Sequence, residues 1–390
     1  MKYAWILAAL VVAHGAPGAR AQSTVETPQA DAPEVAALVE QPAAAPALLG
    51  LVVELPFEFR VKWHEESHGG GRSIAAMQRI EGEAIDASGK PVPMALIVSY
   101  RSFEGLPSAE LERIAQEAAD KAGAAEGARG VETFRIDGFS FHFVDGAVDG
   151  DDTYGERMTM AGVVSGGYFR FSVFSTEAAM LTPELAARMR AARLDYAALL
   201  KLKPRFEEEA RMALRDGALD TPLSRLTLDK GAQARLVASL VTRDASGETI
   251  RRERDFAIFK AGFWTLQSLT LSVSCGRDDH PGWNADDFLR MTPELEEEDV
   301  DDRPVNVSAP APASMLGLPA QMTTAKGAKV PPVRRTDIRR WLVRHDGMAY
   351  GIGLERLNGS PVEKQLVAQF EAAEPRCQLD LQFGDAGIAQ

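Results

Sequence analysis

The chain has little cysteine, only Cys275 and Cys377 among 390 residues. It has no second long hydrophobic run. The apolar stretch 3–13 is too short to span a bilayer, and nothing later is longer. It also lacks net positive charge. The formal balance is −13, and removing Lys2 and Arg20 with a leader takes it to about −15. That excludes nucleic acid and anionic membrane surfaces as general partners. There is no G-x-S-x-G nucleophile elbow. No Gly-Lys-Ser/Thr follows the run Gly69-Gly70-Gly71, which excludes a phosphate-binding loop.

What is present points to export. Lys2 is the charged region of a secretory leader, 3–13 its apolar core, and Ala19-Arg20-Ala21 a small-x-small cleavage site. Cleavage after Ala21 delivers the protein to the periplasm or the exterior, with no transmembrane segment. No cysteine lies near that site to carry a lipid anchor. Residues 22–47, rich in Ala and Pro without a period, form a flexible spacer. Outside the cytoplasm, an even cysteine count favours a Cys275–Cys377 bridge. Two buried thiols in separate strands are the alternative.

The hydrophobic pattern predicts an α+β protein with two tandem units, 48–203 and 204–390, each an antiparallel sheet flanked by helices. Phe57, Phe59, Val61 and Trp63 alternate with polar residues, as in a strand with one buried face. Residues 74–85 and 93–100 flank the turn Asp86-Ala87-Ser88-Gly89 as a hairpin, and Pro107-Ser108 opens a helix. One strand spans 134–144. A hairpin follows over 156–174, turning at Gly166-Gly167, and one helix runs over 182–202. In the second unit a helix at 204–215 precedes strands at 234–242, 249–259 and 264–275 and a short helix at 284–291. Residues 293–319 read as an acidic, then Pro/Ala-rich, solvated insert. A hairpin turning at Asp346-Gly347, a helix from Ser360-Pro361 and a closing strand at 377–383 end the chain. Tyr168 and Tyr350 sit in matching hairpin-plus-helix patterns, and Asp244-Ala245-Ser246-Gly247 echoes the Asp86 turn. Internal duplication explains both echoes.

Two constellations invite metal chemistry. His64-Glu65-Glu66-Ser67-His68 matches H-E-x-x-H, in which two imidazoles on one helical face hold zinc and the Glu polarises water. The strand-like alternation before it and the glycines after it argue against a helix there. The loop from Asp145 through Asp149 and Gly150 to Glu156 follows EF-hand spacing, with Ala147 where a third-position ligand belongs. An acidic hairpin loop free of metal is the plainer reading. His142, His280 and His345 stand as single surface histidines, and Trp283 as a loop anchor or binding spot.

The residues Gly167-Tyr168-Phe169-Arg170-Phe171 with 182–202, and 347–353 with 360–373, resemble the PsbP-like α/β/α sandwich proteins. The resemblance implies assembly factors or binding proteins without a shared catalytic set. The expectation is therefore an exported, non-catalytic binding or assembly-accessory protein, with no cofactor. Its partner would be a protein or another envelope component. A zinc hydrolase through His64, Glu65 and His68, or a Ca²⁺-binding surface module through Asp145, Asp149 and Glu156, are the alternatives.

Overall fold

The computed structural model describes residues 48–379, apart from 71–72, 87, 104, 124–130, 146–154, 177–182, 230, 261–268, 290–303, 328–335 and 358–361. Residues 1–47, where a leader and a spacer are expected, lie outside the described residues. In chain order come β1 (Leu51–Val52), β2 (Phe59–Gly70), β3 (Ile74–Ile85), β4 (Pro91–Ser102) and α1 (Ser108–Gly123). Then follow β5 (Val131–Ile136), β6 (Phe139–Asp145), β7 (Gly155–Val164), β8 (Gly167–Ser175) and α2 (Pro183–Arg190). The middle holds β9 (Arg193–Leu194), α3 (Tyr196–Leu200), α4 (Leu202–Ala213), β10 (Ala218–Asp220) and β11 (Arg225–Thr227). The remainder is β12 (Ala232–Asp244), β13 (Thr249–Lys260), β14 (Leu269–Arg277), α5 (Ala285–Leu289), β15 (Pro304–Val307), β16 (Ala311–Met315), β17 (Leu318–Gly327), β18 (Thr336–His345), β19 (Met348–Leu357) and α6 (Val362–Glu371).

Two separate sheets do not form. β12 pairs antiparallel with β2, from Ala238↔Gly69 to Asp244↔Trp63, and fuses both halves into one mostly-β sheet of fifteen strands. That corrects the α+β expectation. The first long strand of each half, β2 and β12, keeps an open edge, and the two edges satisfy one another. Outward from this joint the order is β2-β3-β4-β8-β7-β6-β5 on one side and β12-β13-β14-β19-β18-β17-β15 on the other, with β16 also on β17. The two Tyr-bearing hairpins, β7–β8 and β18–β19, hold the same place in this order. The Asp86 and Asp244 turns do not, because they join β3–β4 and β12–β13. They are one local solution used twice. Asp86 Oδ1 accepts from the Ser88 and Lys90 amides at 2.8 Å each, and Asp244 Oδ1 from those of Ser246 and Glu248 at 2.9 and 3.0 Å.

The unit boundary expected at 203/204 falls inside α4. The single helix expected over 182–202 is interrupted. Leu194 donates to Asp137 Oδ2 at 2.7 Å, β9 pairs with β1, and Asp195 caps a new helix, α3, by accepting from Ala198. The strand expected over 134–144 is a hairpin, turned at Asp137-Gly138 with φ of +48° and +88°. The described end of the supposed insert pairs as β15 and β16. Of the closing strand expected at 377–383, the described residues, 377–379, form no strand, while 380–383 lie outside the described residues.

One face of the sheet carries the main core. Phe141, Phe169, Phe171, Met94, Leu96, Phe256 and Ile352 point into it beneath α2, α4 and α6. The other face takes α1 over β6–β7 and α5 over β18–β19. Two glycines are steric notches. A Cβ at Gly70 would sit 1.9 Å from the Phe206 ring of α4, and one at Gly276 would sit 2.7 Å from Trp283. The Cys275–Cys377 disulfide, with Cα atoms 5.7 Å apart, pins the segment after α6 beneath β14. The Gln378 N–H adds a hydrogen bond to Pro222 O at 2.9 Å.

Gly70→Ala is expected to lower stability by about 1–3 kcal/mol in urea unfolding, because the ring has to move. Shrinking the ring with Phe206→Leu in the same chain is expected to return part of that loss, a coupling that a double-mutant cycle measures.

Candidate functional site

The H-E-x-x-H residues lie on β2, not on a helix. A strand rises about 3.3 Å per residue, so the Cα atoms of His64 and His68 stand about 13 Å apart, and Glu65 points to the opposite face. These imidazoles cannot converge on one ion. Among the described residues no group of three His, Cys, Asp or Glu is arranged to hold a metal. The Ca²⁺ candidate lies mostly outside the described residues: Asp145 ends β6 and Glu156 lies in β7, but 146–154, Asp149 among them, are not described. Trp283 is a buried loop anchor under the guanidinium of Arg251, 5.2 Å from its ring centroid. His280 Nδ1 accepts from the Gly282 amide at 3.0 Å, and His142 Nδ1 lies 3.2 Å from Thr133 Oγ1.

What β2 does carry is an internal charge lattice at the β2–β12–β13 joint. On the core face His68 Nε2 lies 3.0 Å from Glu66 Oε1, and Arg205 of α4 approaches the same oxygen at 3.6 Å. Burial opposes ionisation of Glu66. The His68 hydrogen bond and charge, with Arg205 and Arg243, nevertheless hold its carboxyl down at about 2. One turn along α4, Glu209 is buried, accepts from Ser239 Oγ at 2.8 Å and lies 3.6 Å from Arg254 Nε. Burial outweighs these partners and raises its pKa. On the other face Glu65 pairs with Arg251 at 3.5 Å, and Arg251 donates to Glu253 at 2.6 Å. Next along β13, burial and the Glu253 charge push Asp255 up to about 7, against the pull of Ser272, Arg340 and Arg251. Only the strand reading of 57–64 was available from the sequence. The partners on β12, β13 and α4 were not, because they lie more than 130 residues away.

The surface offers two further features. A cleft of about 330 Å³ lies beside the upper part of β12, lined largely by apolar residues that include Leu214, Leu219, Leu228 and Phe259. The sheet also ends in two unlike edges. At one end Pro304 and Pro312 stand in the edge strands, and residues 308–310, ending in Pro310, interrupt them between β15 and β16. Prolines and interruptions deny a further strand its ladder. At the other end β5 pairs with β6 without a register break, and among the described residues no strand lies on its outer side. The closing pair of a two-residue hairpin, Ile136 and Phe139, exchanges both backbone hydrogen bonds. Phe134 and Glu132 then also face β6, and Val131, Thr133 and Arg135 turn their N–H and C=O groups outward.

No family model and no curated protein matches the chain. Two solved structures overlap it loosely. One is the apo structure of the immunity protein TplEi of T6SS from Pseudomonas aeruginosa, at 10% identity over 80% of this chain and 97% of that one, with a TM-score of 0.24. The other is MucB in complex with MucA(peri), at 10% identity over 79% and 92%, with a TM-score of 0.17. Superpositions this loose do not define a shared fold.

The Asp255 environment gives a signed pH dependence. A folded pKa raised from 3.8 to about 7 means that the native state holds a proton the unfolded chain has released. Stability from this group is full below about pH 4 and is lost as pH rises through about 7. Asp255→Asn is expected to raise the melting temperature at pH 8 and to leave it unchanged at pH 3.5. Zn²⁺ at micromolar concentration is expected to act equally on wild type and His64→Ala in the same melting assay, since β2 holds the histidines apart.

Proposed function

We propose that the protein is an exported, non-catalytic binding or assembly-accessory protein that engages a protein partner of the cell envelope. In this reading a leader at 1–21 is removed after Ala21, 22–47 is a spacer, and the two halves of the sheet form one scaffold. The observation that carries the binding role is the outer edge of β5, a row of backbone donors and acceptors with no strand beside it among the described residues. The disulfide between Cys275 and Cys377 supports an oxidising compartment. The two central carboxylates of β2 support a scaffold role, since Glu65 is engaged with Thr242 of β12 and Arg251 of β13, and Glu66 with Arg205 of α4. The PsbP-like resemblance implies the same class of activity.

The test uses the full chain with a C-terminal tag in its own cells. Fractionation with thiol labelling is expected to find the protein outside the cytoplasm with both cysteines oxidised. Formaldehyde crosslinking is expected to trap one discrete complex with a second protein. A reduced cytoplasmic protein would end the export reading. Recovery of the monomer alone across growth conditions would end the binding reading.

A further inference from the structure

We infer that β5 takes an extended partner segment as an added strand, and that this segment alternates apolar and acidic side chains. The inference rests on the binding reading and names its chemistry. The choice of edge follows from the contrast between the two ends of the sheet. The β15–β16 end is broken at 308–310 and carries three prolines, whereas β5 reads Val-Glu-Thr-Phe-Arg-Ile without proline or bulge. An added strand would pair with the outward groups of Val131, Thr133 and Arg135.

The side chains of β5 then set the partner's sequence. On the core face Phe134 is half-buried at the border of an aromatic cluster. Its ring centroid lies 6.4 Å from Phe141 and 6.1 Å from Phe143. The flank of that ring away from β6 is where an apolar residue on the added strand would extend the cluster. Glu132 on this face is already paired with Arg190 of α2. On the opposite face Arg135 is exposed and, among the described residues, has no hydrogen bond, ion pair or ring contact, in a chain whose net charge is −13. A carboxylate directly across the strand pair would meet it. Neighbouring residues of a strand fall on opposite faces, so these two demands become one alternating pattern. The same pattern bars a basic segment.

The probe is a short fluorescein-labelled peptide of alternating valine and glutamate, compared with one of alternating valine and lysine, read by fluorescence anisotropy on the oxidised full chain. The glutamate peptide is expected to bind and the lysine peptide to bind at least tenfold more weakly. Thr133→Pro removes an outward N–H and the exposed hydroxyl contact with His142 but spares the β5–β6 backbone ladder. It is expected to weaken binding at least tenfold, with a melting temperature no lower than that of Thr133→Ala, which loses the same hydroxyl and keeps binding. Arg135→Glu, a surface change that leaves the backbone alone, is expected to invert the preference toward the lysine peptide. Equal binding of both peptides, no binding of either, or full binding by Thr133→Pro would each overturn the inference. If the peptides fail while the whole-protein complex is still trapped in cells, the edge falls and the binding function stands. If no complex is trapped, the function itself falls.

Discussion

The pairing of β2 with β12 is the constraint on which the rest depends. It brings together residues 177 positions apart, as in the Thr242–Glu65 contact, and turns two half-sheets into one sheet. Each half presents its first strand at an edge, and an unpaired row of amides and carbonyls there would be costly to bury. Antiparallel pairing removes both edges at once. α4 then lies across the seam, with Phe206 in the space above Gly70 and Glu209 beneath the Ser239 hydroxyl. The helix fits only because glycine stands where any side chain would meet the ring.

The seam is unusual for a core in being charged on both faces. Glu209 and Arg254 are each almost wholly buried and stand within ion-pair distance of one another. Such pairs gain little net stability, since desolvation offsets much of the attraction. Removing one member alone leaves a stranded charge, at a cost on the order of 3–5 kcal/mol. Their effect is to fix register. A slip of one residue between β2 and β12 would swap the faces of Glu65 and Glu66, so that at most one of Arg251 and Arg205 would still face a carboxylate and His64 or Ser67 would stand opposite the other. Hydrophobic alternation alone would specify that register less sharply, because Ser67, Ser239 and Thr242 are polar on either face.

Much of the local structure was legible in the sequence. The strands around 57–64, 74–85 and 93–100, the Asp346-Gly347 turn and the helices beginning at Ser108 and Val362 follow from alternation, positive-φ turn residues and helical spacing. The hairpin expected to turn at Gly166-Gly167 turns one residue earlier, at Ser165-Gly166. Asp137-Gly138 was a hairpin signal of the same kind, and reading 134–144 as one strand overlooked it. The Pro/Ala run near 304–315 misled because proline is compatible with an outermost strand, and nothing local reveals that a strand will be outermost. The fusion of two sheets was illegible for a deeper reason. Strand pairing between the halves depends on which edges meet, and periodicity reports only which side of a strand is buried. H-E-x-x-H failed as a site because the same letters on a strand spread over a distance that a helix would have folded into one turn.

The seam also orders events in time. Hairpins β2–β3 and β18–β19 close over a few residues, whereas β12 reaches β2 only after α1 through α4 have been made. Closing a loop of that length carries a conformational-entropy cost that neighbouring hairpins do not face, and long-range pairing of this kind slows folding. A chain delivered N-terminus first therefore exposes the inner side of β2 for the whole interval, although in the finished molecule that side is the least accessible edge of all. The charges along it have a second consequence during that wait. Glu65, Glu66 and His68 make the strand a poor template for the apolar segments of other chains, so it stays available for the one strand that carries matching arginines beside it.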